Sequence, residues 1–89
     1  SALIHLTHCL AVALAPDVSV NCIAPGLVEG TRMAERLPEE VKDSARTQTV
    51  LGRTGSAADI ARLAVAYCQA DSVTGQTVVV DGGSPIGMR

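Results

Sequence analysis

The sequence predicts an α/β chain with two parallel strands and about four helices. Three features carry that reading. From Ala2 to Ala15 there is neither Gly nor Pro and nearly every position is apolar, the mark of a helix rather than a loop. Two runs rich in β-branched residues, 18–24 and 76–80, lead into Pro-Gly and Gly-Gly breaks. The residues between these runs are helical in pattern, and strands joined through helices pair in parallel by a right-handed crossover.

The first helix, 2–15, has only His5, Thr7 and His8 as polar positions and meets Pro16, which cannot extend it. So little polar surface implies burial on more than one side. In DVSVNCIAPG, Val18, Val20 and Cys22 alternate with Ser19, Asn21 and Ile23, giving the two-residue period of a strand over 18–24. Residues 31–37 and 38–50 hold most of the charge. There Pro38 suits a first helical turn and Glu39 and Glu40 favour a helix N-terminus, so two short exposed helices are expected. GRTGS at 52–56 is a turn, and Ser56 with Asp59 resembles a capping box, with Asp in place of Glu or Gln. The helix it opens, 57–69, sets Ile60, Leu63, Ala64 and Tyr67 on one face. A turn at Thr74-Gly75 feeds the strand 76–80, and Gly82-Gly83 stops it.

Composition narrows the possible functions. Hydrophobic residues make up 47% and charged residues 18%, which is globular, but there is one Tyr and no Phe or Trp. A core of Ala, Val, Leu and Ile stabilises weakly, because aromatic side chains supply much of the buried area in a small domain. The net charge of -2 is spread along the chain, leaving no basic stripe for nucleic acid. No apolar run reaches the roughly 18–20 residues that span a bilayer, and the N-terminus has no leader pattern. A soluble, cytoplasmic protein that binds neither nucleic acid nor membrane is expected. Cys9, Cys22 and Cys68 sit in apolar patterns and read as reduced core residues. His5, His8 and Cys9 lie within about one helical turn, but no fourth ligand stands at metal-site spacing, so no metal is expected.

A two-stranded parallel sheet has two open edges and cannot cover its own faces. The missing sheet is expected either on another chain or in the remainder of a longer protein of which this is the C-terminal piece.

Several short motifs occur in order: N-x-x-A-P-G at 21–26, G-R-x-G at 52–55, D-I-A at 59–61 and T-G-Q-x-x-x-V-D-G-G at 74–83. With this order and spacing the chain resembles the C-terminal portion of a short-chain dehydrogenase/reductase. The resemblance implies a doubly wound, Rossmann-like parallel sheet, of which these residues supply the last two strands and the surrounding helices. It also implies an oxidoreductase that uses NAD or NADP and moves a hydride between the nicotinamide and a carbonyl or alcohol. In the intact enzyme a tyrosinate, its pKa lowered by a neighbouring lysine, exchanges the proton. The family's phosphate loop, catalytic Ser and Tyr-x-x-x-Lys are absent from these residues: Tyr67 is followed four residues later by Asp71. No catalytic residue is assigned, and Tyr67 reads as part of the last helix's core.

In open parallel sheets ligands bind beyond the carboxyl ends of the strands. The resemblance accordingly implies that Pro25 and Gly26 lie beside the nicotinamide, that the Val28 backbone bonds its carboxamide, and that the Thr31 hydroxyl contacts carboxamide or phosphate. Many relatives place this Thr two residues after the Val, where Gly30 stands here. Residues 31–50 correspond to a substrate lid, in which Met33 and Leu37 either face substrate or anchor the lid. Arg32, Arg36, Lys42 and Arg46 read as a solvated face. The first helix, with the final helix and strand, is implied to build subunit interfaces of a dimer or tetramer. A second reading is a short, non-catalytic assembly module that keeps the dehydrogenase tail and interacts through its apolar helix. An in-frame Tyr-x-x-x-Lys just upstream of Ser1 favours the enzyme, and a start codon there favours the module.

Overall fold

The computed structural model describes residues 1–26, 28, 29 and 31–84. Helix α1 (Ala2–Leu14) opens on Ser1, whose hydroxyl accepts from the Ile4 N–H at 3.3 Å. Strand β1 (Cys22–Pro25) follows, then a two-residue strand β2 (Val28–Glu29) and a single helical turn α2 (Arg32–Glu35). Helix α3 (Glu39–Thr47) starts after Pro38, and strand β3 (Gly55–Ser56) runs straight into helix α4 (Ala57–Gln69). Strand β4 (Thr77–Val80) comes last. These are the α/β elements the sequence predicts, with one addition: β2 and β3 pair.

Both ladders are parallel. Cys22 stands opposite Thr77 and Pro25 opposite Val80, so β1 and β4 lie side by side despite the helices between them. Val28 stands opposite Gly55 and Glu29 opposite Ser56. Helices α1 and α4 both pack against β1. Ile23 shares a cavity of about 330 Å³ with Tyr67 and Cys68 of α4, so Cys22, one residue earlier, turns its buried side chain to the opposite face.

The first strand begins four residues later than its alternation predicts. Residues 18–21 pair with no described strand: the Val18 N–H donates to the Leu14 carbonyl at the end of α1, and Val20 and Asn21 meet the turn at 73–76. The Val20 N–H donates to the Thr74 hydroxyl at 3.1 Å, and the Asn21 side chain donates to the Val73 carbonyl at 3.2 Å and accepts from the Gln76 N–H at 3.1 Å. Asn21 thus ties the entrance of β1 to the entrance of β4. The ladder begins where β4 becomes extended.

Helix α4 is capped as expected, with the Ser56 hydroxyl accepting from the Asp59 N–H at 3.1 Å. The Asp59 carboxylate engages Arg62 at 2.9 Å. Ile60, Leu63 and Tyr67 are half-buried on one face, while Ala64 is exposed.

Expected burial is corrected in two places. Helix α1 buries only Thr7 and Ala11, and Leu3, Leu6, Leu10, Val12 and Leu14 are exposed. Of the three cysteines, all free, only Cys22 is buried. The cause is a shortage of neighbours: an all-apolar helix needs contact on several sides, and within this chain α1 has chiefly β1 to lie on. The accessible surface, 6354 Å², exceeds the roughly 4,900 Å² of a compact monomer of this mass. The radius of gyration, 14.9 Å, likewise exceeds the value of about 12 Å for a compact chain of this length.

Candidate functional site

The sequence-predicted site lies where β1 and β4 end. Pro25 is the last residue of β1, and the Gly26 N–H continues the ladder by donating to the Val80 carbonyl at 3.1 Å. Pro25 and Gly26 are both exposed, leaving an open surface beyond the carboxyl end of the strand. Together with Gln48 and Thr49 at the end of α3, and with Asp81, they line a cavity of about 330 Å³.

Glycine at position 26 answers to a neighbouring strand. A Cβ there would fall 2.7 Å from the Asp81 Cβ. Gly55 is constrained similarly, since its Cβ would stand 2.7 Å from the Val80 carbonyl oxygen. Gly82 is the tightest: its φ is +72°, and a Cβ would fall 1.7 Å from the Arg53 carbonyl oxygen. These three positions are one junction, in which the ends of β1 and β4 and the loop before β3 meet backbone to backbone.

Asp81 holds this junction in shape. Its Oδ1 accepts from the Gly83 N–H at 2.9 Å and the Ser84 N–H at 3.1 Å, closing a turn on its own backbone. The next two carbonyls then receive the end of segment 31–51: the Val50 N–H donates to Gly83 and the Leu51 N–H to Gly82, each at 3.0 Å. At its start the same segment is fixed by the β2–β3 ladder. Asp81 and these clasps were missed in the sequence, although Asp followed by Gly-Gly is a recognisable turn signal. Each β2–β3 partner is two residues long, too short to show a period.

Thr31 is placed by its own hydroxyl, which donates to the Val28 carbonyl at 2.8 Å and accepts from the Ala34 N–H at 3.2 Å, capping α2. Val28 is buried in β2. Pro25 and Gly26 share the cavity, and Val28 and Thr31 share a hydrogen bond, but Val28 and Thr31 do not line that cavity. Thr54 lines it as well and has a buried hydroxyl without a hydrogen-bond partner among the described residues.

Helices α2 and α3 and the residues between them differ in exposure: Leu37 is half-buried, whereas Met33 is 79% exposed. On α3, Lys42 reaches Glu39 at 3.5 Å and Arg46 pairs with Asp43 and Glu39; the carboxylates are open to water, but the Lys42 side chain is only 13% exposed and that of Arg46 32%, so the expected solvated face holds for Arg32 and Arg36 and not for these two. Among the described residues no group of three or more metal-ligating side chains occurs, and no helix is long and apolar enough to cross a membrane.

The surroundings of this site have counterparts elsewhere. The chain is 43% identical to tropinone reductase-like 3 of Erythroxylum coca over 96% of its own length and 34% of that protein's. It is 42% identical to the 3-oxoacyl-[acyl-carrier-protein] reductase FabG of Aquifex aeolicus, over 91% of this chain and 34% of that one. The crystal structure of a short-chain dehydrogenase/reductase, glucose/ribitol dehydrogenase, from Brucella melitensis superimposes with a TM-score of 0.83 at 38% identity, covering 92% of this chain and 34% of that chain. The FolM alternative dihydrofolate reductase 1 of Brucella suis, solved in complex with NADP, superimposes with a TM-score of 0.81 at 34% identity, over 93% and 32%. The chain therefore spans about a third of the length of the relatives it matches. With a family model described as Enoyl-(Acyl carrier protein) reductase matching residues 1–84, the chain belongs to the short-chain dehydrogenase/reductase family.

Proposed function

We propose that this chain is the C-terminal part of a cytoplasmic NAD- or NADP-dependent oxidoreductase acting on a small carbonyl or alcohol. In this reading it supplies one wall of the nicotinamide site, the substrate lid and much of the interface of a dimer or tetramer. The observation that carries the reading is the exposed Pro25-Gly26 surface beyond a parallel strand, the position at which open α/β sheets take their ligands. When bound, the nicotinamide supplies or accepts the hydride. The residues here orient it; the proton-transfer groups belong to the remainder of the protein.

The donor set fits a carboxamide. A threonine hydroxyl has one hydrogen and two lone pairs. Thr31 directs its hydrogen to Val28 and one lone pair to Ala34, which leaves one lone pair to accept from an amide NH2. A phosphate oxygen brings no hydrogen to share. Of the two contacts implied for Thr31, the carboxamide is therefore favoured.

The test is cofactor binding by the intact polypeptide that carries these residues, followed by fluorescence of the reduced nicotinamide. Thr31→Ser is expected to bind like the parent. Thr31→Val is expected to lose affinity by roughly five- to tenfold, the effect of one hydrogen bond worth about 1 kcal/mol. Equal affinities would remove Thr31 from the site. The assembly-module reading, favoured by the exposed apolar face of α1, instead predicts that the intact polypeptide binds neither nicotinamide cofactor.

A further inference from the structure

We propose that Asp81 is a positioning residue: through the turn it closes, it sets how closely segment 31–51 lies over the Pro25-Gly26 surface, and so how long a nicotinamide cofactor stays there. The inference rests on the function proposed above, in which this segment is the substrate lid.

Both ends of the segment converge on that turn. At the far end the Val50 and Leu51 N–H groups donate to the Gly83 and Gly82 carbonyls. Those carbonyls are aimed by the turn, because the Asp81 Oδ1 accepts from the Gly83 and Ser84 N–H groups at 2.9 and 3.1 Å. Ahead of the segment, Val28 and Glu29 pair with Gly55 and Ser56. Gly55 lies so near the Val80 carbonyl oxygen that a Cβ would stand 2.7 Å from it, and Arg53 meets Gly82 backbone to backbone. A change in the turn therefore reaches both roots of the segment. Asp81 also lines the cavity in which Gln48 and Thr49, just beyond α3, face Pro25 and Gly26. It thus stands between the surface and what covers it. Where a lid must open before a ligand leaves, the hold on its roots governs the rate of release.

The side chain can be tested without disturbing the junction's backbone contacts, since alanine keeps the Cβ that faces Gly26. Hydrogen exchange and stopped-flow release of NADH and NADPH, followed by nicotinamide fluorescence, are measured on the intact polypeptide. Asp81→Ala should speed exchange at Val50 and Leu51, and release of the cofactor, by at least about tenfold, the effect of losing an acceptor of two hydrogen bonds. Asp81→Asn keeps the accepting oxygen and should stay within about threefold of the parent. Asp81→Ser, a weaker turn acceptor, should fall between them and decides the matter if the alanine variant does not fold. Asn21→Ala loosens the opposite end of the same two strands and should leave release as in the parent. Unchanged release in Asp81→Ala or Asp81→Ser from a parent that binds cofactor, equal acceleration in Asn21→Ala, or failure of Asp81→Asn to restore slow release overturns the positioning role alone. A parent that binds neither cofactor overturns the proposed function, and this role with it.

Discussion

Around Gly82 a single added carbon would fall 1.7 Å from the Arg53 carbonyl oxygen, whereas on α1 Val12 leaves 81% of its surface open. The first region is fitted by its own chain: three segments converge, glycines admit the contact, and Asp81 ties the turn. The second is apolar without being covered. Helix α3 shows that exposure alone does not explain α1, since α3 is also exposed but carries ion pairs suited to water. A helix of leucine, valine and alanine gains nothing from water. The contrast separates what these residues complete among themselves from what they leave uncovered.

Substitutions can break this contrast or sharpen it, and denaturant unfolding of the intact polypeptide measures most of them. Gly82→Ala should be the most damaging, with a loss of at least about 3 kcal/mol, because it combines a left-handed φ with a backbone collision. Gly26→Ala should cost about 1–3 kcal/mol, since the Asp81 Cβ must move by a few tenths of an ångström or more. Asn21→Ala should cost a similar or smaller amount, about 1–2 kcal/mol, for the two hydrogen bonds that join the strand entrances. Thr31→Val should cost about 1 kcal/mol as the loss of a helix cap.

The smallest effect tests the other side of the contrast. Val12→Ser should change stability by no more than about 0.5 kcal/mol if the α1 face is open in the intact polypeptide as well. A loss of 1 kcal/mol or more, together with slower association in sedimentation, would mean that the face is covered there. In that case the junction and α1 would differ only in which part of the protein fits them.

The elements were largely legible because their signals are local. Pro16 ends a run without breakers, Ser56 precedes an apolar period, and Gly82-Gly83 follows a β-branched run. The start of β1 was not legible: Val18 and Val20 alternate like a strand, but Val18 bonds back to Leu14 at the end of α1 and Val20 meets a turn 54 residues away in sequence. The β2–β3 pair escaped for the same reason, since two residues carry no periodicity and only the opposite segment defines them. The burial of Cys9 and Cys68 was misread because apolar patterning reports a preference for burial and does not reveal whether a neighbour is present.

For the site, the motif at 21–26 located the strand end, and the resemblance to the family named Pro25, Gly26, Val28 and Thr31. What the fold added was the reason for two of these residue types. Gly26 is small because Asp81 approaches it, and Thr31 caps a helix while keeping one lone pair available.

By itself the sequence determined the order and kind of the longer elements, the parallel pairing of β1 with β4 and the family, since periodicity, breakers and short motifs are properties of neighbouring residues. Only the tertiary structure decided which glycines were obligatory, where the first strand began and which apolar faces stayed open. Those depend on distances between segments that the chain brings together from far apart, and on whether a surface to cover each face is there at all.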